Sequence, residues 1–203
     1  MVAPRARVAT GLVAAVAAGP MILFAAGQPS KRDADQMRQK VATILQASER
    51  PRREPVRTTL TEPELNAWLA SDARSELPAG VVEPVVSILG TGRLTGRAIV
   101  DLDEVRKQQK KPTSMFDPMG YLTGRVPVEA TGVLTTSNGF GRFQLESATV
   151  GGVPVPKMML QEIVSHYSRT AQNPSGINLD DPFPLPSRIR EIQVERGQAT
   201  VVQ

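Results

Sequence analysis

Two long stretches of this 203-residue chain alternate apolar and polar residues with a period of two, and their apolar positions are filled largely by small side chains. In Arg93–Asp103, Leu94, Gly96, Ala98, Val100 and Leu102 fall on one face. Arg93, Thr95, Arg97, Asp101 and Asp103 fall on the other, with Ile99 the exception. In Leu122–Leu134 the apolar set is Leu122, Gly124, Val126, Val128, Ala130, Gly132 and Leu134. Such alternation predicts half-buried antiparallel strands rather than the continuous apolar runs of a parallel sheet. Asn138-Gly139 follows at once, the pair best suited to a tight hairpin turn because both residues tolerate positive φ. Phe140–Val150 returns as the partner strand, with Leu145 expected to share a face with Phe143, Ser147 and Thr149. Interior strand glycines mark bends or close approach by another element. A long sheet with small residues inward can therefore bend around a helix.

The remaining elements are read by their own periods. Asp33–Ser48 carries Met37, Val41, Ile44 and Leu45 at helical spacing, and the charged Glu49–Glu54 stretch with Pro51 reads as a linker. A short strand is expected at Arg57–Thr59. Thr61 and Glu64 form a capping box with Pro63 in the first turn, opening a helix whose apolar face is Leu65, Trp68 and Leu69. Val81–Leu89 is strand-like, and Pro84 marks it as an edge or a bulge. Glu104–Tyr121 reads as a long connection. A last helix is expected from about Val155 to Ala171, and Arg188–Glu195 with Ala199–Val202 form a closing hairpin. The class is α+β: a curved antiparallel sheet of about six strands wrapped against a long amphipathic helix, with N-terminal helices.

Val8–Gly27 is a 20-residue run without a charge, preceded by Arg5 and Arg7. A basic head and an apolar core direct export. The run is long enough to remain as a membrane-spanning anchor, and Ala25-Ala26-Gly27 equally suits cleavage. Both alternatives place the rest of the chain on the extracytoplasmic side. The expected organisation is 1–27 as signal peptide or signal anchor, 28–54 as polar helix and linker, and 55–203 as a single α+β domain. Removing Arg5 and Arg7 lowers the formal charge from +4 to +2. With few, scattered aromatic residues, that leaves a poor platform for nucleic acid. Zero cysteines exclude thiolate chemistry, and one histidine argues against a histidine metal site or triad. The expectation is a non-enzyme without a cofactor.

Individual motifs reinforce this. Gly90-Thr-Gly92-Arg-Leu-Thr-Gly96 has the glycines of a dinucleotide loop but leads into a strand, where that chemistry needs a helix N-terminus. Asp101 and Asp103, on one strand face about 6.6 Å apart, read as solvated carboxylates rather than an acid–base pair. Asn178, Asp180 and Asp181 suit a turn better than a calcium loop. Ser165 and His166 are helix neighbours whose side chains diverge. Arg106, Lys107, Lys110 and Lys111 beside Phe116 form a candidate membrane contact within the long connection. Met158, Met159, Ile163 and Val164 give the last helix a broad, adaptable apolar face. Set against Leu94, Val100, Val126, Val128, Leu134 and Leu145 of the sheet, they would line an apolar groove for a lipid or another amphiphile. The alternative is a filled core, with an edge strand recruiting an envelope protein as partner.

Leu60-Thr-Glu-Pro-Glu-Leu-Asn-Ala-Trp-Leu69 resembles the opening helix of the YpmS-like family. Gly151-Gly-Val-Pro-Val-Pro156 with the apolar helix after it resembles that family's Gly–Pro lead-in to its second helix. Leu185-Pro186, Ile189, Ile192-Gln-Val194 and Gly197 are similar to the terminal strands of YpmS-like and LmeA-like envelope proteins. These families are related to the tubular lipid-binding (TULIP) fold. The resemblance implies an exported or membrane-anchored protein with a curved sheet around a helix, lipid as ligand and no catalytic residues.

Overall fold

The computed structural model describes residues 30–49, 54–75, 77–108, 123–169 and 173–203. Helix α1 (Lys31–Glu49) leads to strand β1 (Arg57–Thr61), helix α2 (Glu62–Ser71) and a 3-10 turn at Asp72–Ser75. Strands β2 (Val81–Gly90) and β3 (Arg93–Asp101) form a hairpin that runs into helix α3 (Leu102–Gln108). Strands β4 (Arg125–Ser137) and β5 (Phe140–Val150) form the second hairpin, followed by β6 (Val153–Pro154) and helix α4 (Lys157–Tyr167). Strands β7 (Phe183–Pro184), β8 (Glu191–Glu195) and β9 (Gln198–Val202) complete the chain.

The class is α+β, as the alternation predicts. A six-stranded antiparallel sheet runs β2-β3-β4-β5, with β6 and β7 paired to opposite ends of the outer edge of β5. It is not closed into a barrel. A second sheet has the order β1-β9-β8. The turn at Asn138-Gly139 has φ of 50° and 83°, as its dipeptide requires.

The two sheets meet at a corner. The amide of Gly92 donates to Val194 O at 3.2 Å, that of Gly139 to Arg190 O at 2.9 Å, and that of Gly197 to Ile88 O at 2.9 Å. The Thr136 hydroxyl also accepts from the amide of Ile192 at 2.7 Å. The outer edge of β8 is thus occupied by the ends of the two hairpins. At β2 the seal comes from α2: the Asn66 side chain donates to Val86 O at 2.8 Å and accepts from Val86 N at 2.7 Å. Glu62 accepts from Ile88 N at 2.6 Å. Asn66→Ala should therefore lower unfolding free energy by about 2 kcal/mol in urea titrations, because it orphans an amide and a carbonyl together. An unchanged midpoint would show that Asn66 does not pin this edge.

The buried hydrophobic cluster lies under the small sheet. Ile44 of α1 meets Ile189 and Val201, flanked by Leu60, Leu185 and Ile192. Helix α1 buries Ala34, Met37 and Ile44 and packs on α2. Against the large sheet, α4 lies at β5.

Three local readings change. Asp103 does not continue β3, because the chain turns into α3 at Leu102 and part of the expected connection is helical. Gly124 precedes β4 with φ of 79°, a turn conformation rather than a strand position. Leu145 does not share a face with Ser147 and Thr149. Thr131 pairs with Ser147 but Gly132 pairs with Leu145, so Glu146 is an extra residue, and one extra residue reverses the facing of everything beyond it.

Candidate functional site

The register fixes what each face of the large sheet carries. Leu94 pairs with Ile88 and Gly132, Gly96 with Val86 and Ala130, Ala98 with Val128, and Val100 with Val81 and Val126. Leu134 pairs with Phe143, and Gly132 with Leu145. Directly opposed residues share a face. Six of the sequence-designated groove residues, Leu94, Val100, Val126, Val128, Leu134 and Leu145, are therefore brought together on one apolar face. All six are half-buried rather than buried. A Cβ placed on Gly96, near the middle of that face, would meet no atom within 4 Å. The space over this glycine is open.

Gly132 on the same face differs. A Cβ there would lie 2.5 Å from both Gln144 O and the Phe143 ring, so glycine is required where the bulge draws β5 against β4.

The opposite face carries ion pairs at its rim and a buried Thr95 near its centre. Arg93 pairs with Glu146 at 2.8 Å, Arg97 with Glu129 at 2.5 Å and Arg125 with Asp101 at 3.3 Å, while the Thr95 and Thr131 hydroxyls bond at 2.8 Å. A shallow depression of about 300 Å³ lies here, bordered by Arg97, Ile99, Pro127, Glu129 and Thr149. Of the groove residues it includes Val128 alone, so it is not the apolar face.

Helix α4 contributes in two parts. Ile163 and Val164 are half-buried. Met158 and Met159, expected in the groove, turn outward with 82% and 54% of their surface exposed. In the basic cluster, Lys107 lies on α3 and pairs with Glu104 at 3.2 Å, and Arg106 lies on the same helix. Lys110, Lys111 and Phe116 lie outside the described residues, as does the apolar run 8–27.

The carboxylates do structural work. Asp101 accepts the amide of Glu104 at 3.1 Å, capping α3, and takes Arg125 on its other oxygen. The Glu104 amide first, then Arg125, hold the Asp101 carboxyl below its ordinary value. Asp103 accepts the amide of Gly124 at 3.2 Å. Asn178 bonds Asp181 and the amide of Asp180, closing a turn, while Asp180 pairs with Lys157. Among the described residues no cluster of three or more His, Asp or Glu side chains could hold a metal ion. No helix of the described residues is long and apolar enough to cross a membrane.

No known family and no curated protein matches the chain, so the YpmS-like and LmeA-like resemblance gains no family match. Among solved structures, one similar chain is described as the crystal structure of lipopolysaccharide binding protein. It is 14% identical with a TM-score of 0.22, over 73% of this chain and 40% of that one. The present chain thus spans less than half of that protein, and so low a score carries no functional weight.

Proposed function

We propose that the protein is an exported or membrane-tethered, non-catalytic domain that holds an acyl chain of a lipid or another amphiphile along the apolar face of its large sheet. One observation carries the reading. The filled core sits between α1 and the small sheet, while on the apolar face of the large sheet Ile88 and Ala148 are buried but Leu94, Val100, Val126 and Val128 stay half-buried, with open space over Gly96. Exposed apolar surface of this kind costs roughly 25 cal/mol per Å² unless something covers it. Glycine, alanine and valine form the floor at the centre of this face. A scaffold reading through strand addition is confined to the outer edge of β1 and the middle of β5, because the edge of β8 is taken by the hairpin ends and that of β2 by Asn66 and Glu62.

Native mass spectrometry of the chain, exported and purified without detergent, should reveal a stoichiometric lipid adduct. Val128→Glu places a charge on the face, and Gly96→Phe fills the open space with a ring. Both variants should remain folded by circular dichroism and retain at least tenfold less lipid. A bare wild-type mass with no uptake on lipid challenge, or full retention in both folded variants, would remove the reading.

A further inference from the structure

Hydrogen bonds and ion pairs fix how the N-terminal helix lies relative to the large sheet. Helix α2 runs antiparallel to β2: Glu62, its first residue, accepts from Ile88 N, and Asn66, one turn on, bonds Val86. Its far end passes into the 3-10 turn at Asp72–Ser75. From there, bonds from Leu77 N to Ala73 O, Val81 N to Pro78 O and Asp101 N to Gly80 O lead to the end of the sheet where β2 starts and β3 stops. Helix α1 packs along α2 in the reverse sense. Ile44, in its second half, sits under the small sheet with Val201, Lys40 meets Glu64 near the start of α2, and Arg38 meets Asp72 at its end. Nineteen residues give α1 a length of about 28 Å, close to the span of about 26 Å from Arg93 to Asp101 along β3. The first residue of α1, Lys31, therefore lies toward the Val81 end of the sheet and its last turn toward the hairpin ends.

The two ends of the apolar face are unlike. At the hairpin end β8 crosses both hairpins, Ile88 is 3% exposed, and the Phe143 ring closes on Gly132. At the other end Val81, Val100 and Val126 pair across three strands and are half-buried. Among the described residues no strand crosses this row, and the chain leaves it through α3 with Leu102 buried.

We propose that the Val81–Val100–Val126 end of the apolar face is turned to the bilayer, so that an amphiphile passes between bilayer and protein there and lies with its tail toward the hairpins. This orientation rests on the proposed membrane tether and acyl-chain face. Residues 28–30 separate the apolar run from α1, and three extended residues cover no more than about 11 Å. An anchor at 8–27 holds the start of α1 within that distance of the headgroups, and the helix carries the hairpin end up to about 28 Å further out. The blind, apolar hairpin end suits a hydrocarbon tail, because a charged headgroup would be desolvated there without a partner.

The chain has no cysteine, so Lys107→Cys on α3 and Arg196→Cys beside Gly90 each give the full chain one labelling site. Both positions are exposed. Each labelled chain is reconstituted in phosphatidylcholine vesicles with a headgroup-borne quencher in both leaflets. Quenching at position 107 should exceed that at 196 at least fivefold, and equal or reversed quenching would overturn the orientation. In the same vesicles, a phosphatidylcholine with a diazirine at the end of its acyl chain should crosslink around Leu94 and Leu134 rather than Val100 and Val126. The reverse pattern would overturn the direction of the tail. A full chain that washes off the vesicles removes the tether and this orientation together, while a lipid adduct in native mass spectrometry leaves the acyl-chain face standing. Absence of both adduct and crosslink removes that face and the direction of its ligand, whereas the two labels decide the orientation by themselves.

Discussion

Ile44→Asp should cost the domain about 4 kcal/mol or more, a large share of the 5–15 kcal/mol that holds a typical domain folded. Ile44 is 8% exposed and packs on Ile189 and Val201, themselves 8% and 4% exposed. Its carbonyl also accepts the side-chain amide of Gln203 at 2.9 Å. A carboxylate there would be desolvated without a cation to meet it. Leu45, the next residue, is 50% exposed, so Leu45→Asp is the matched control and should change stability by less than about 0.5 kcal/mol. Urea unfolding of the pair checks the claim that α1 belongs to the core. Equal, small losses would show that α1 can leave the domain at little cost.

The second large effect is at Glu64. Its side chain is 7% exposed and receives Lys40 Nζ on both oxygens, at 2.6 and 2.7 Å, and the Thr61 amide at 2.8 Å. One carboxylate thus caps α2 and clasps α1. Burial pushes its pKa up, but the bonds from Lys40 and Thr61, with the charge of Lys40, outweigh it and hold the carboxyl below its ordinary value. A carboxylate with a depressed folded pKa contributes stability that is complete above its unfolded value, about 4.3, and is lost as pH falls through the folded one. Wild-type stability should therefore fall on acidification through this range. Lys40→Met removes the clasp and leaves burial as the main influence on Glu64. At pH 7 it should cost about 2–3 kcal/mol, less than a fully buried pair because Lys40 keeps 30% of its side-chain surface. The loss should shrink toward pH 3.5 as Glu64 protonates. Chemical denaturation from pH 3.5 to 7 decides it, and a pH-independent loss would show that the two side chains are not coupled.

The large sheet was legible because its strands obey the simplest rule in the chain. Alternation alone places Leu94, Val100, Val126, Val128 and Leu134 on one face, and the register confirms it. The bulge at Glu146 was not legible, since a single inserted residue leaves the local pattern intact while reversing Ser147 and Thr149. Asp103 reads as a strand residue in the sequence because the turn into α3 depends on a cap that forms only when Asp101, the last residue of β3, meets the Glu104 amide. The outward turn of Met158 and Met159 was hidden for another reason. Helical periodicity shows that Ile163, Val164 and both methionines are apolar, but α4 is too lightly packed against β5 to bury them all.

The order in which the chain supplies its strands has a bearing on its synthesis. Among the described residues β1 pairs only with β9, so residues 57–61 wait for their strand partner until residues 198–202 have been made. The seat of α1 also waits for Val201, and the amide that braces the end of that helix comes from Gln203. Contacts between such distant segments form late, because the intervening loop must close before they are rewarded. A nascent chain therefore carries α1 unseated until residues 198–203 have been made, while the β2–β5 hairpins can already have paired.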